Sequence, residues 1–128
     1  MSPDTPAGQV VYHLQTGPGD IAPFILTSGS THRIRRLATF LDDIRVERSN
    51  REFLTVTGSY KDIPVTGLAT GIGAPPTIIA IVEALQCQPR PTFIRLGSCG
   101  SLQPQIHLGD LVISTRAKID STEAATRN

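Results

Sequence analysis

The sequence predicts an α/β domain built on a mixed, twisted sheet with flanking helices. Three observations carry that prediction. Compact apolar runs with Gly or Pro near their ends, at residues 23–27 and 92–96, have the length and punctuation of buried strands. Segments of helical period lie between such runs, the alternation that lays helices against a sheet. Finally, the strand Phe93-Ile94-Arg95-Leu96 runs into a glycine-bracketed loop, Gly97-Ser98-Cys99-Gly100. Strand ends of that kind are where open α/β sheets hold their ligands.

Bulk composition bounds the reading. At 128 residues, 39% hydrophobic and 18% charged, the chain has the size and make-up of one globular domain. Twelve Lys and Arg against eleven Asp and Glu leave a net charge of +1, no electrostatic footprint for a nucleic acid. No apolar run approaches the length of a membrane span, and residues 1–9 lack the apolar core of a secretory leader. Two cysteines, Cys87 and Cys99, make neither a disulfide framework nor a C-x-x-C metal spacing. The expectation is a soluble cytoplasmic protein without a metal.

In chain order, residues 1–20 are punctuated by Pro3, Pro6, Gly8, Gly17, Pro18 and Gly19. They read as a flexible N-terminal segment in which only residues 10–14 could pair as a short strand. The domain then occupies residues 21–120, with a polar tail at 121–128. Residues 23–27 form the first strand. Ser28-Gly29-Ser30-Thr31 is a turn with candidate N-caps for a helix marked by Ile34, Leu37, Ala38 and Leu41 and ending near Asp42-Asp43. Strands at 44–49 and 52–57 follow, the second readable also as the first continuing past a bend, then a hairpin turn over 58–62 and a return strand at 63–69. The loop Thr70-Gly71-Ile72-Gly73-Ala74 leads into a helix opened by Pro75-Pro76, a place where proline is tolerated. From 77 to 87 only Thr77, Glu83 and Gln86 interrupt its apolar character, so it is expected to be buried on most sides, against the sheet and a further layer or partner subunit. Strands at 92–96 and 109–115 complete the domain.

Three strand ends carry residues suited to an anion. In Ser28-Gly29-Ser30-Thr31-His32-Arg33 the glycine permits close backbone approach to a ligand, and the helix start behind it offers free N–H groups and partial positive charge. Arg33 in that first turn costs roughly 0.3–1 kcal/mol at an exposed site. A bound anion would reverse the sign; an exposed Arg that tolerates the cost is the other reading. The loop at Thr70, Gly71 and Gly73 lacks the third glycine and downstream acid of a dinucleotide site and the Lys of a P-loop, so it also reads as a tight strand-to-helix turn. Arg95 stands between Ile94 and Leu96. If buried, it needs an anionic partner, with Ser98 and the loop N–H groups converging on the same anion. A period-two strand would instead turn it to solvent. Cys99 as a nucleophile requires a paired base, and His13, His32 and His107 show no signature spacing for one.

Five segments, taken in order, resemble the nucleoside phosphorylase family, the type that includes uridine phosphorylase and the hexameric purine nucleoside phosphorylases. They are His13-Leu14; Gly29 with Arg33; Ser49-Asn50-Arg51-Glu52-Phe53; Ala69-Thr70-Gly71-Ile72-Gly73-Ala74-Pro75; and Ile94 to Gly100 running on to Gly109-Asp110-Leu111-Val112. The resemblance spans residues 12–120. It implies phosphorolysis of a nucleoside to a free base and ribose-1-phosphate, uridine-like substrates being favoured over purine, with phosphate as co-substrate and no other cofactor. Electrostatic positioning of an oxocarbenium-like sugar would do much of that work. By the resemblance, Gly29, Arg33, Arg95 and Ser98 hold phosphate, Arg95 and Ser98 being the catalytic pair. Arg51 reaches the phosphate of a neighbouring subunit and His13 a neighbour's ribose, while Thr70, Gly71 and Gly73 wall the pocket. A homo-oligomer built from dimers is implied, with no nucleic-acid or membrane partner.

Two departures qualify this. The family's Pro-Gly-Asp-Pro loop reads Ser28-Gly29-Ser30-Thr31 here, and Ser98 stands where uridine enzymes tend to carry Thr, keeping the hydroxyl. Members are also about twice as long, consistent with one large α/β domain. The chain thus corresponds to an N-terminal half without the base-recognition residues or the Met-Glu pair that grips the ribose. A nucleosidase of the AMP type, whose substrate brings its own phosphate, and a non-catalytic phosphate- or nucleotide-binding remnant are the alternatives.

Overall fold

A computed structural model describes residues 9–118. The elements in order are β1 (Phe24–Ser28), α1 (Thr31–Ala38), β2 (Asp42–Asn50), β3 (Phe53–Tyr60), β4 (Ile63–Ala69), α2 (Ala74–Cys87) and β5 (Thr92–Arg95). The five strands form a mixed sheet in the order β2-β3-β4-β1-β5. Strand β1 pairs in parallel with β4 on one side and β5 on the other, whereas β2–β3 and β3–β4 are antiparallel. The chain divides after Ser98 into two compact units; the sheet and both helices belong to the first.

Side-chain alternation along the central strands explains the layering. Ile25, Phe53 and Leu68 point into a cluster with Ala80, Ala84 and Cys87 of α2, joined by Val11, Leu14 and Ile21. Their neighbours Leu54, Val56, Val65 and Ala69 point the other way, into a cluster with Ile34 of α1 and with Leu41. The helices therefore cover opposite faces, and β3 and β4 are buried on both.

Several boundaries differ from the sequence expectation. Helix α1 ends at Ala38, where the Thr39 hydroxyl donates to the Arg36 carbonyl at 2.7 Å and closes a turn. Leu41 is still buried, but from the connection rather than the helix, and Asp42-Asp43 open β2 at an irregularity in its pairing with β3. The hairpin expected at 58–62 turns only at Lys61 and Asp62, both with positive φ (48° and 66°), a two-residue turn that matches strand twist. Gly58 lies inside β3 for a different reason: a Cβ there would sit 2.6 Å from the Asp42 carbonyl oxygen. Its smallness makes room for the irregular β2, and that reads in sequence as turn chemistry.

Residues 10–14 do not pair as a strand. They form turns, with the Val11 N–H bonded to the Thr16 carbonyl at 2.8 Å, and Val11, Leu14 and the following Thr16 are buried. The lead-in over 9–20 is thus anchored on the core rather than loose, because Glu83 of α2 takes the N–H groups of His13 and Leu14. Residues 1–8 and the tail at 121–128 lie outside the described residues. Helix α2 was expected to be covered on most sides, but Ile78, Val82 and Leu85 face solvent, an i, i+4, i+7 stripe. The second unit contains no helix or strand among its described residues. The strand expected at 109–115 is absent: that unit offers no partner ladder for its backbone, and Leu111 and Ile113 are exposed.

Candidate functional site at the parallel strand ends

The carboxyl ends of β4, β1 and β5 share one edge of the sheet, since the register pairs Ser28 with Ala69 and Thr27 with Arg95. The ladder continues past the strands: the Thr70 N–H donates to the Ser28 carbonyl at 2.9 Å and the Leu96 N–H to the Thr27 carbonyl at 2.7 Å. With the helices on opposite faces, a crevice opens where the connections from β1 and β4 part, the usual ligand position in such sheets. It is an open cleft of about 290 Å³ lined by Gly29, the loop 70–74, Thr77 and Arg95.

Each wall has a local reason. A Cβ on Gly29 would sit 3.0 Å from the Gly71 carbonyl oxygen, so glycine lets the two loops close on each other. Gly71 has φ +73°, and a Cβ there would also meet the Glu52 side chain at 2.8 Å. Gly73, at φ +95°, is the N-cap of α2. Thr70 is buried with its hydroxyl turned to backbone carbonyls, tying the end of β4 to β1 rather than offering a free donor.

The positive charge comes from two arginines. Arg33 projects from the first turn of α1 and donates from Nη2 to the Ser98 hydroxyl at 3.2 Å. Arg95 is exposed on β5, as are its neighbours Ile94 and Leu96, so the strand shows neither a buried Arg nor a clean alternation; the Arg95 side chain lines the cleft. Its guanidinium lies over Gly97, where a Cβ would be 2.5 Å from Nη1. Among the described residues neither guanidinium meets a carboxylate. The helix starts differ in what they add. Helix α1 has no side-chain cap and no acidic residue in its first turn, leaving N–H groups and partial positive charge for an anion. Helix α2 carries Pro75 and Pro76 in its first turn and so lacks two of those donors.

His13 and Arg51 lie elsewhere in the chain. Arg51 sits at the β2–β3 turn with φ +52° and lines a separate cleft of about 630 Å³ with Asn50, Gln15 and residues 9–12. That cleft shares no lining residue with the arginine cleft. The His13 ring packs edge-on to Tyr12 and Phe53 and lies 2.6 Å from the carboxylate of Glu83. Sequence reasoning missed Glu83, reading it as an interruption of an apolar helix; the signal was a lone carboxylate inside that apolar run. Of the thiols, Cys99 is exposed and Cys87 is buried. Burial pushes the Cys87 pKa up, partly offset by the Thr16 hydroxyl 3.5 Å away.

Residues 23–127 match the phosphorylase superfamily. The chain is 42% identical over 115 residues to a uridine phosphorylase of Thermococcus kodakarensis, covering 90% of this chain and 41% of that protein. It is 36% identical over 110 residues to a DeoD-type purine nucleoside phosphorylase of Shewanella oneidensis, covering 85% and 47%. The crystal structure of a uridine phosphorylase from Vibrio fischeri superposes with a TM-score of 0.73 at 32% identity, over 82% of this chain and 44% of that one. The chain thus spans less than half the length of these relatives. The fold is shared with that uridine phosphorylase, and the chain belongs to the nucleoside phosphorylases of the phosphorylase superfamily.

Proposed function

We propose that the chain forms the phosphate-binding half of an enzyme that splits nucleosides with inorganic phosphate. Phosphate oxygen attacks the anomeric carbon, the N-glycosidic bond breaks, and the base leaves with the bonding electrons and takes a proton. The supporting observation is the meeting of Arg33 with Ser98 beside a cleft lined by Arg95 and Gly29, with no carboxylate on either guanidinium among the described residues. Such an arrangement fits a tetrahedral dianion that takes fork-shaped donors. Arg95 and Ser98 are the residues we assign to the attacking phosphate, Gly29 and Arg33 to its anchoring, and Thr70, Gly71 and Gly73 to the pocket wall. His13 and Arg51, away from this cleft, are assigned to the site of a neighbouring copy in a homo-oligomer of dimers acting in the cytoplasm. A uridine-like substrate is favoured by the 42% identity to the Thermococcus kodakarensis uridine phosphorylase, against 36% for the purine relative. One other reading is a phosphate binder without turnover. Incubating the chain with uridine decides between them: uracil released only when phosphate is present is expected. A folded chain that binds phosphate and releases none would leave the binder.

A further inference from the structure

Glu83 stands outside the arginine cleft, yet its carboxylate is fully engaged. The residue is 9% exposed. Its two oxygens accept the His13 N–H at 3.0 and 3.1 Å and the Leu14 N–H at 2.8 Å, and Oε1 faces Nδ1 of His13 at 2.6 Å. Backbone N–H groups only donate, so the carboxylate is placed as an acceptor, a geometry that calls for a proton on the ring nitrogen opposite it. The imidazole is fixed on its other sides too. Phe53 and Tyr12 meet it edge-on at 5.9 and 4.9 Å, and the Asn50 side-chain amide donates to the His13 carbonyl at 3.0 Å. Nε2 makes no hydrogen bond among the described residues, and the side chain is 26% exposed. Thr55 Oγ1 is the buried side-chain polar atom left without a partner among those residues, so the equally unpartnered Nε2 is open to solvent.

We propose that Glu83 is a positioning residue for His13: it holds the imidazole with its proton on Nδ1 and leaves Nε2 facing outward to accept a hydrogen bond from a hydroxyl-bearing ligand of the sugar class. This is the reverse of the tautomer that a free histidine side chain prefers, so the carboxylate sets a state the ring would not adopt alone. The identity of the ligand as a sugar rests on the phosphorylase reading; the tautomer does not.

The test is a long-range nitrogen–proton correlation spectrum of the chain with ring-labelled histidine, recorded above the ordinary histidine titration range, with the His13 signals assigned from His13→Gln. A protonated Nδ1 and an unprotonated Nε2 are expected. In Glu83→Gln, which keeps the size but sets an amide N–H₂ against the backbone donors, His13 should move toward the Nε2–H form. A wild-type ring in the Nε2–H form, or the same tautomer in both proteins, overturns the proposal; if Glu83→Gln fails to fold, the wild-type spectrum decides alone. Adding ribose-1-phosphate should shift the Nε2 resonance. An unmoved Nε2 with the Nδ1–H tautomer intact counts against the phosphorylase reading and leaves the role of Glu83 standing.

Discussion

At the scale of single residues the proposed phosphate site rests on two arginines and a hydroxyl, and each gives its own prediction. Arg95 is exposed and has no hydrogen-bonding partner among the described residues, so Arg95→Ala should change stability by no more than about 0.5 kcal/mol in phosphate-free buffer. The same substitution should abolish the rise in melting temperature that phosphate produces by binding the folded state. Protection by phosphate that survives Arg95→Ala would remove Arg95 from the site. Ser98→Ala takes away one hydroxyl next to Arg33 and should weaken phosphate binding about 3- to 10-fold, measured by titration calorimetry. An unrelated residue gives a prediction of opposite sign. Thr55 is fully buried with an unpartnered hydroxyl, while its neighbours Thr57 and Thr66 bond each other at 2.7 Å. Thr55→Val removes the orphan at nearly constant volume and should raise stability by about 1 kcal/mol, read from denaturant unfolding. A loss of stability would mean the hydroxyl has a partner such as a buried water.

Elements whose boundaries depend on their own residues were legible in the sequence; those fixed by distant contacts were not. The return strand at 63–69 and the proline-opened helix ending at Cys87 match the structure because apolar run, glycine loop and proline pair all act locally. The end of α1 and the true hairpin turn were misjudged because Leu41 and Gly58 answer to the sheet and to the Asp42 carbonyl, not to their sequence neighbours. The buried lead-in was missed because its anchor, Glu83, is 70 residues away from His13. At the site, the strand-end glycines and arginines were readable from local chemistry, whereas the direction in which Arg95 points was open until the pairing of Thr27 with Arg95 set the register. The hairpin gives the element-scale prediction. Lys61 and Asp62 both hold a left-handed backbone that costs a non-glycine residue roughly 1 kcal/mol, so Asp62→Gly should raise the melting temperature of the chain. An unchanged or lower value would show that the turn is not strained.

At the scale of the whole molecule, the described residues leave apolar surface open. Among the described residues, Ile78, Val82 and Leu85 form an uncovered stripe on α2, and β5 is the last strand on its side of the sheet, with Ile94 exposed. A free parallel edge and an apolar helix face both favour association. The purified chain should therefore sediment as larger species as concentration rises, and Val82→Lys, at an exposed position, should shift that distribution toward monomer without unfolding the sheet. A concentration-independent monomer in sedimentation velocity would contradict this.

The proline pair that opens α2 has a consequence for how a ligand lies in the cleft. Pro75 and Pro76 remove two N–H donors from the α2 start, while the α1 start keeps its donors and Arg95 adds a positive charge to the cleft lining. The crevice is therefore polarised, with a charged pole and an indifferent one. On the proposed phosphate assignment, a molecule with one anionic and one uncharged end would be favoured in the sense that turns its anionic end toward Arg95 and Gly29.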